Sequence, residues 1–425
     1  MPSQNTREDE EEKAPETGIV VPLALSEFRV VEQSGPCDGI LSVKVIAKTT
    51  TAQCPHCQQE SDAVHDCRER RKRDLRVREY QVSLIVLKRR YRCWQCRRTF
   101  TEPDEACGPR RRTTCRLREA IGKEAIHKPV AQVSYCFGVG PRFVRACWKT
   151  SIGPLLAEKG LDLAGEALLP ASRFLGIDEF AVQKGHRYAT ILCDLEHRNV
   201  LETSLGRQFL EVVRLLGRLD HPEVVEAVSL DMSASFAPAV RFALPHAHLV
   251  IDHFHVVQHV MKAFRKVVSR WAHTKEGTIL LHHKQQVFLK AAEDLTDDER
   301  QDLARISSRL PELETAWKLK EALRTWYATA TMETAEAELE NWLQHVREQG
   351  PEPMQQALSA FTRWKPEILA FFRFLPTRIS NGYVEGKNNR SKTMMRQAYG
   401  YRNFQHLRLR ILSAGKNEIS SHLSP

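Results

Sequence analysis

The sequence predicts a multidomain α+β protein, in which a zinc-binding region and a helical segment precede an α/β domain interrupted by an all-α insertion. Three observations carry this prediction. Two Cys-x-x-Cys pairs lie among alternating apolar and polar residues, strand-like and helix-like runs alternate from about residue 172, and the stretch 256–375 is helical in pattern. At 425 residues the chain is too long for one ordinary core, which favours several domains.

The N-terminal segment, residues 1–22, is acidic and of low complexity, and we expect a disordered tail there. Its first residues, MPSQNTREDEEEK, lack the apolar core of a secretion signal. No apolar run approaches the roughly 20 residues that cross a bilayer. These features predict a soluble, cytoplasmic protein that has no membrane partner.

A zinc ribbon is predicted for residues 23–108. The runs FRVVEQ, ILSVKVIAKTT and YQVSLIVLKRRYRC alternate as strands do, and the last delivers the second cysteine pair. Cys54 and Cys57 form CPHC, and Cys93 and Cys96 form CWQC, so two tight turns offer four thiolates to a tetrahedral Zn²⁺. The 35 residues between the pairs exceed the usual ribbon spacing, which requires an inserted hairpin.

Other cysteine and histidine functions stay open at this point. Two redox pairs are the alternative to zinc, but neither pair lies in a thioredoxin-like βαβ pattern. Weaker substitute ligands are Cys67, Cys107, His56 and His65. We expect the remaining cysteines to include small core residues, namely Cys37, Cys136, Cys147 and Cys193.

Residues 109–165 predict a helix-turn-helix. A short helix, VAQVSYC, is followed by the glycine-containing turn FGVG and by a second helix that Pro141 opens. Arg142 and Arg145 would lie near the N-terminal end of that second helix, where bases or phosphates are contacted. A helical hairpin without a DNA function is the alternative.

From residue 172 the order of elements is three strands, then helix, strand, helix and strand, which is a ribonuclease-H-like layout. We assign residues 172–255 to the first part of this domain and 256–375 to an all-helical insertion. Residues 376–418 would complete the domain with a helix that carries Glu385.

Positive charge is concentrated in two segments of the chain, whose net charge is +10. Between Cys67 and Arg98 there are 13 Lys and Arg against three acids, and between Arg378 and Arg410 there are eight against Glu385 alone. Such concentrated charge is typical of proteins that bind a phosphate backbone, although a solvated basic face is the ordinary alternative. In the first segment we predict DNA contacts from Arg70, Arg71, Lys72 and Arg73.

Three carboxylates are candidates for a Mg²⁺ site. Asp178 lies in an apolar strand, where a charge is costly unless it is paired or binds a cation, and Asp231 follows another strand. Glu385 would be the third. Two Mg²⁺ ions on such ligands activate a water or a 3′-hydroxyl and stabilise the leaving oxygen. The pattern alone leaves other carboxylates available, namely Asp194, Glu196, Glu202 and Asp252.

The helix that carries Glu385 is expected to begin at Asn381 as its N-cap. Helical spacing then places Asn389, Lys392 and Arg396 on the same face as Glu385. We predict that Lys392 and Arg396 hold DNA phosphates beside the bond that is cut.

With these motifs the sequence resembles the DDE transposases of bacterial insertion sequences, specifically the ISL-three family. The resemblance covers nearly the whole chain after about residue 30. It rests on CPHC…CWQCRRTF, FLGIDEFAVQKGHRYATIL, VVEAVSLDMSASFAPAV, PHAHLVIDHFHVVQHV and SNGYVEGKNNRSKTMMRQAYGYRNFQHLRLRIL, in that order. It implies catalytic functions for Asp178, Asp231 and Glu385, and it matches an Asp-x-x-His motif, Asp252 and His255, whose expected function is structural or DNA-positioning.

The resemblance implies a transposase that binds the terminal inverted repeats of its element and then cuts and joins DNA with Mg²⁺ or Mn²⁺. The expected partners are double-stranded terminal-repeat and target DNA, together with further copies of the chain in a homodimer or larger assembly. The alternatives are a DNA-binding regulator without catalysis, which leaves Asp178 unexplained, and a structure-specific nuclease without strand transfer.

Overall fold

The computed structural model describes residues 23–232 and 235–414. The chain divides into two compact units, Met1–Ser151 and Ile152–Pro425, each of which is treated separately below. The predicted acidic tail, residues 1–22, lies outside the described residues, as do residues 415–418 of the predicted last domain.

The first unit is built on a mixed β-sheet. Its strands are β1 Phe28–Cys37, β2 Ile40–Ala47, β3 Ala52–Gln53, β4 Glu60–Ser61, β5 Val64–Arg73, β6 Gln81–Arg92 and β7 Thr99–Thr101. The sheet order is β1-β2-β6-β5, with β7 paired to β6. The alternation of β2 and β6 buries Val43 and Leu84 on one face of this sheet. The expected hairpin between the cysteine pairs is present, because β5 and β6 pair antiparallel.

Three helices follow: α1 Cys115–His127, α2 Val130–Phe137 and α3 Pro141–Ala157. Thr114 is the N-cap of α1, and its hydroxyl accepts from Leu117 N while it donates to the buried Asp74 at 2.6 Å. The Arg116 guanidinium also binds Asp74. Gly138 ends α2 with φ of 58°, a left-handed conformation that glycine adopts without strain.

The second unit contains the sheet that the sequence predicts between 172 and 255. Its strands are β8 Leu169–Pro170, β9 Phe174–Gln183, β10 Arg187–Asp194, β11 Asn199–Leu205, β12 Leu219–Asp220, β13 Ala227–Leu230 and β14 His248–Ile251. The main sheet has the order β11-β10-β9-β13-β14. β9, β10 and β11 are antiparallel neighbours, whereas β9, β13 and β14 run parallel.

Helices make up the rest of the second unit. They are α4 Phe209–Leu216, α5 Phe236–Ala243, α6 His253–Ala272, α7 Lys275–Leu280, α8 Gln285–Leu289, α9 Asp297–Ser307, α10 Pro311–Thr329, α11 Ala335–Gln349, α12 Glu352–Arg373, α13 Gly382–Gln397 and α14 Phe404–Ser413. The helical block therefore begins at His253, three residues before the predicted start at 256, because the chain turns directly from β14 into α6. No helix among the described residues is long and apolar enough to cross a membrane.

Helix α13 lies against β9, and a glycine permits the close approach. A Cβ on Gly176 would come within 2.7 Å of Val384 Cγ2 and within 2.8 Å of Asn381 Oδ1. The start of α13 is thus seated directly on the strand that carries Asp178. Helix α14 is fixed to β11 by a buried ion pair, in which the Arg408 guanidinium donates to both oxygens of Glu202 at 2.6 and 2.7 Å.

The prediction of a mixed α/β multidomain chain with an N-terminal β-rich region is confirmed. The prediction about buried cysteines is correct for Cys147 and Cys193 but wrong for Cys37 and Cys136, which are exposed. Cys37 ends β1, a strand at the edge of its sheet, and Cys136 lies on the outer face of α2.

Candidate functional site

Three aspartates follow one row across the parallel part of the second sheet. Ser229 on β13 is paired with Gly176 on β9, and continuing this register by two residues brings Asp231 level with Asp178. Leu230 is paired with Ile251 on β14, so one further step brings Asp252 level with Asp231. Parallel strands lie about 4.8 Å apart, so this register brings three carboxylates side by side. Asp178 lies within β9, whereas Asp231 and Asp252 directly follow the last residues of β13 and β14.

Asp178 is partly buried and is held by two donors. Its Oδ1 accepts from the backbone N–H of Glu179 at 2.7 Å, and its Oδ2 accepts from Asn388 Nδ2 at 2.7 Å. Burial raises the pKa of Asp178 to about 6, and the charge of Asp231 acts in the same direction, whereas Asn388 and His255 oppose the shift. A cation bound beside this carboxylate would therefore stabilise its charged form.

The neighbouring acid, Glu179, points away from this row. Its carboxylate accepts from Arg207 Nη1 at 2.5 Å, while its backbone carbonyl lies 3.3 Å from Asn388 Nδ2. Alternate residues of a strand face opposite sides of the sheet, which is why only Asp178 joins the group.

Two of the other carboxylates that the sequence left open, Asp194 and Glu202, have structural partners. Asp194 Oδ1 accepts from the backbone N–H groups of Glu196 and His197 and so closes the turn after β10. Glu202 is buried and is bound by Arg408 and Arg218. Asp252 is different, because it belongs to the row of aspartates.

Helix α13 brings Glu385 to the site in its first turn. Burial raises the pKa of Glu385, and Asp252 adds to this shift, whereas His255 and Lys392 oppose it. Lys392 is therefore close enough to sense the charge of Glu385, as the helical spacing predicts. Arg396 is exposed further along α13 and donates to Thr393 Oγ1.

Two asparagines, Asn381 and Asn388, bind β9 through their side chains, and the sequence analysis predicted neither contact. Asn389 is exposed, and it is Asn388, one residue earlier, that is buried against Asp178. Asn381 occupies the N-cap position but makes no side-chain capping bond; its Nδ2 donates instead to the carbonyl of Ile177 on β9 at 3.2 Å. The sequence offered no signal for Asn388 over Asn389, since positions i+3 and i+4 both lie near the face of residue i.

Asp252, His255 and Glu385 form a compact group, in which one possible ligand atom from each residue lies within 4.8 Å of the others. His255 Nε2 is 3.4 Å from Glu385 Oε1. Asp252 is fully buried, and His255 and Glu385 are partly buried. His255 also influences the charge of Asp178, so the predicted accessory residues lie among the predicted catalytic ones.

The four predicted zinc ligands come together in the first unit. Cys54 and Cys57 bracket the turn between β3 and β4, and Cys93 and Cys96 bracket the turn between β6 and β7. The Sγ atoms of Cys54 and Cys96 are 3.7 Å apart, and those of Cys57 and Cys93 are 3.4 Å apart. Zinc–sulfur bonds of about 2.3 Å in a tetrahedron require sulfur separations of about 3.8 Å, so the group fits zinc.

The four predicted DNA-binding residues of β5 differ in their surroundings. Arg70 and Arg71 are exposed and line a groove of about 1050 Å³. Lys72 is buried in an ion pair with Asp104 at 3.1 Å, and Arg73 donates to the carbonyl of Gly138 at 2.8 Å.

The same groove is lined by three exposed arginines that the sequence analysis did not single out, Arg110, Arg111 and Arg112. A run of three consecutive arginines is the sequence feature that could have identified them as a basic surface. On α3, Arg142 and Arg145 are exposed, one turn apart, and have no polar partner among the described residues.

Comparisons with known proteins agree with these features. Residues 175–411 match the profile of the ISL3 DDE domain, described as a transposase, and residues 50–96 match a profile described as the zinc-finger of the transposases of IS204, IS1001, IS1096 and IS1165. A transposase for insertion sequence element IS1001 from Bordetella parapertussis is 28% identical over 385 residues, covering 88% of this chain and 91% of the relative. A transposase for IS1557 from Mycobacterium tuberculosis is 25% identical over 292 residues, covering 62% and 65% of the two chains.

Proposed function

The chain belongs to the ISL3 family of transposases, and from this premise we propose that it binds the terminal inverted repeats of an insertion sequence and cuts and joins DNA strands there. Asp178, Asp231 and Glu385 are the proposed catalytic carboxylates. A water would attack the phosphodiester at the end of the element, and the freed 3′-hydroxyl would then attack a phosphodiester of the target DNA.

The observation that carries the proposal is the row of three aspartates, one within β9 and two directly after β13 and β14, faced by Glu385 from α13. A buried carboxylate with a raised pKa beside a second carboxylate is unfavourable in a merely structural position. The same arrangement is favourable when a cation is bound. A regulator without catalysis has no use for such a group.

The order β11-β10-β9-β13-β14, antiparallel at one side and parallel at the other, supports a ribonuclease-H-like assignment. The insertion between β14 and α13 is all-helical. We retain as proposals the domain limits 23–108, 109–165, 172–255, 256–375 and 376–418.

The donor atoms fit Mg²⁺ or Mn²⁺, since carboxylate oxygens are the ligands that these hard ions prefer. Two such ions, bound by Asp178, Asp231 and Glu385, would activate the attacking hydroxyl and stabilise the leaving oxygen. Asn388 orients Asp178 through its 2.7 Å hydrogen bond and leaves the second oxygen, Oδ1, with only the Glu179 N–H. Lys392 and Arg396 would hold the phosphates on the exposed side of α13.

DNA recognition is assigned to the first unit. Its zinc-finger match and its four cysteines support a structural zinc ion. We assign α2, the turn at Gly138 and α3 to a helix-turn-helix, with Arg142 and Arg145 directed to DNA. Arg70 and Arg71 would bind phosphates in the groove, together with Arg110, Arg111 and Arg112.

A second basic surface lies on α6, which contains no Asp or Glu. Lys262, Arg265 and Lys266 are exposed on one face of this helix and have no polar partner among the described residues. Because α6 starts at the aspartate row, these cations support a path for the DNA backbone along the helix toward the site. Binding to phosphates would make the affinity fall steeply as the salt concentration rises.

Two DNA ends must be held at once for joining, so we expect a homodimer or a larger assembly on DNA. The decisive experiment incubates the full chain with Mg²⁺ and DNA that carries the element's ends, and compares it with Asp178→Asn. We expect nicked ends and joined products with the original chain, and neither with the variant, although the variant still retards the DNA on a gel.

Each alternative has its own outcome. Retardation without any cutting, under conditions in which a control transposase cuts, would support a DNA-binding regulator. Cutting without joining would support a nuclease.

A further inference from the structure

We infer that Asp252, His255 and Glu385 form a binding site for a divalent transition-metal cation such as Mn²⁺, in which the His255 imidazole is a direct ligand. The site shares Glu385 with the proposed catalytic carboxylates. It does not depend on the proposed function, because a cation would bind there whether or not the chain cuts DNA.

The distances suit a shared ion. One atom from each of the three residues lies within 4.8 Å of the other two, and His255 Nε2 is 3.4 Å from Glu385 Oε1. Mn²⁺ favours octahedral coordination, in which bonds of about 2.1–2.2 Å place adjacent ligand atoms about 3.0–3.1 Å apart. A small closure of the group would therefore complete the coordination.

The ligand atoms lack other partners. Asp252 is fully buried, and neither of its carboxylate oxygens accepts a hydrogen bond within the described residues. The same holds for the buried Nε2 of His255. A buried polar atom without a partner costs roughly 1–3 kcal/mol, and more when it is charged, so such atoms indicate a missing ligand. The nearest cationic candidate is His253, whose Nδ1 is 3.3 Å from Asp252 Oδ1 without forming a hydrogen bond.

The backbone holds the ligands in place. Asp252 N donates to the Leu230 carbonyl at 3.1 Å and so fixes Asp252 to the sheet. His255 N donates to the Asp252 carbonyl at 3.0 Å in the first turn of α6. The spacing of three residues at a helix start turns both side chains to the same side, toward α13.

The surroundings favour a cation. Asp178 and Asp231 add negative charge beside the group. The lysine whose charge lowers the pKa of Glu385 is Lys392. On the other side, Tyr327 is buried near Asp252, and its ring packs against His253 and Phe371. Burial away from water on this side lowers the local dielectric constant, which strengthens the attraction between the carboxylates and an ion.

The imidazole decides the type of metal. Mg²⁺ prefers oxygen ligands only, whereas imidazole nitrogen suits first-row transition metals. The site should therefore bind Mn²⁺ more tightly than Mg²⁺. A nitrogen ligand also has a spectroscopic signature, because ¹⁴N coupled to Mn²⁺ modulates the electron spin echo.

The experiment uses the full chain without a histidine tag, with its zinc retained and no DNA. Mn²⁺ is titrated while free Mn²⁺ is followed by electron paramagnetic resonance, and the bound ion is examined for nitrogen modulation. We expect nitrogen-coupled Mn²⁺ in the original chain, and loss of this coupling with at least about a tenfold weaker affinity in His255→Gln and Asp252→Asn. The matched control is His259→Gln, one turn further along α6, whose imidazole Nε2 lies 3.2 Å from the Ala357 carbonyl; it should behave as the original chain does.

The inference is overturned if the original chain binds Mn²⁺ without nitrogen coupling, or if Asp252→Asn leaves the coupling intact. A coupling that disappears in Asp178→Asn but persists in Asp252→Asn would also overturn it, since His255 would then serve an ion of the other aspartates. Circular dichroism confirms that each variant is folded. Cutting of DNA without nitrogen coupling refutes this site alone, and nitrogen coupling without cutting refutes the proposed function alone.

Discussion

Asn388 donates a hydrogen bond of 2.7 Å from its Nδ2 to Oδ2 of Asp178, across 210 positions of the sequence. This bond joins α13 to β9 and connects the helix that carries Glu385 to the first aspartate of the row. Asn389, the residue after Asn388, is exposed on the same helix and provides a natural control.

Asn388→Ala should lower DNA cleavage by about tenfold to a hundredfold, because a hydrogen bond to a charged group contributes roughly 1.5–3 kcal/mol. Asn389→Ala should leave the cleavage rate nearly unchanged. Single-turnover cleavage under saturating protein measures both. Equal losses in the two variants would show that the amide of Asn388 has no special function.

Glu385→Gln should abolish cleavage while DNA affinity stays nearly constant, because the amide keeps the shape but loses the negative charge. Lys392→Ala should instead weaken DNA binding and reduce the slope of log affinity against log salt by about 1, as expected for one lost phosphate contact. Gel retardation at several salt concentrations, run beside the cleavage assay, separates the two effects. If both variants lose binding equally, the two residues do not have separate functions.

Asp178 should make the metal-free protein less stable as the pH rises. Its pKa is raised from 3.8 to about 6 in the folded protein, so the folded state binds more protons between these values. The resulting stabilisation is present below about pH 4 and is lost as the pH passes 6, and it amounts to at most about 3 kcal/mol. Asp178→Asn should therefore raise the melting temperature, relative to the original chain, more at pH 7.5 than at pH 4.5. The same difference at both pH values would contradict this assignment.

The zinc ribbon should hold one zinc ion per chain and protect its thiols from alkylation. Cys57 is exposed but would be protected as a zinc ligand, whereas the exposed Cys37 and Cys136 should react at once. Mass spectrometry after brief alkylation, with and without a strong chelator, measures this directly. Rapid alkylation of Cys57 in protein that contains zinc would contradict the assignment.

The basic residues of β5 should divide into two classes. Arg70→Ala and Arg71→Ala should weaken DNA binding and leave the melting temperature unchanged, because both side chains are exposed in the groove. Lys72→Ala should cost up to about 3 kcal/mol of stability, because Lys88 is then the one cationic partner of Asp104 within the described part of the chain. Thermal unfolding and DNA titration of the three variants test these two classes. A Lys72 variant that is fully stable but binds DNA poorly would contradict the structural function assigned to Lys72.

The local features of this protein were accessible from the sequence. The two Cys-x-x-Cys pairs, the strands around Asp178 and before Asp231, and the turn from Gly138 into Pro141 depend on spacings of a few residues. Backbone geometry alone determines such features, and the structure contains each of these elements. The opposite directions of Asp178 and Glu179 follow from the same short-range geometry.

The tertiary structure decided which side chains serve the site. Asn388 rather than Asn389 faces Asp178 because a rotation of about 100° per residue leaves both near one helical face, and only the seating of α13 on Gly176 selects between them. Lys72 differs from Arg70 because Asp104, 32 positions away, lies beside it. The buried Asp252 carboxylate, at the turn from β14 into α6, accepts no hydrogen bond from any residue that the structure describes. Partners and burial are properties of distant segments brought together, and no local spacing encodes them.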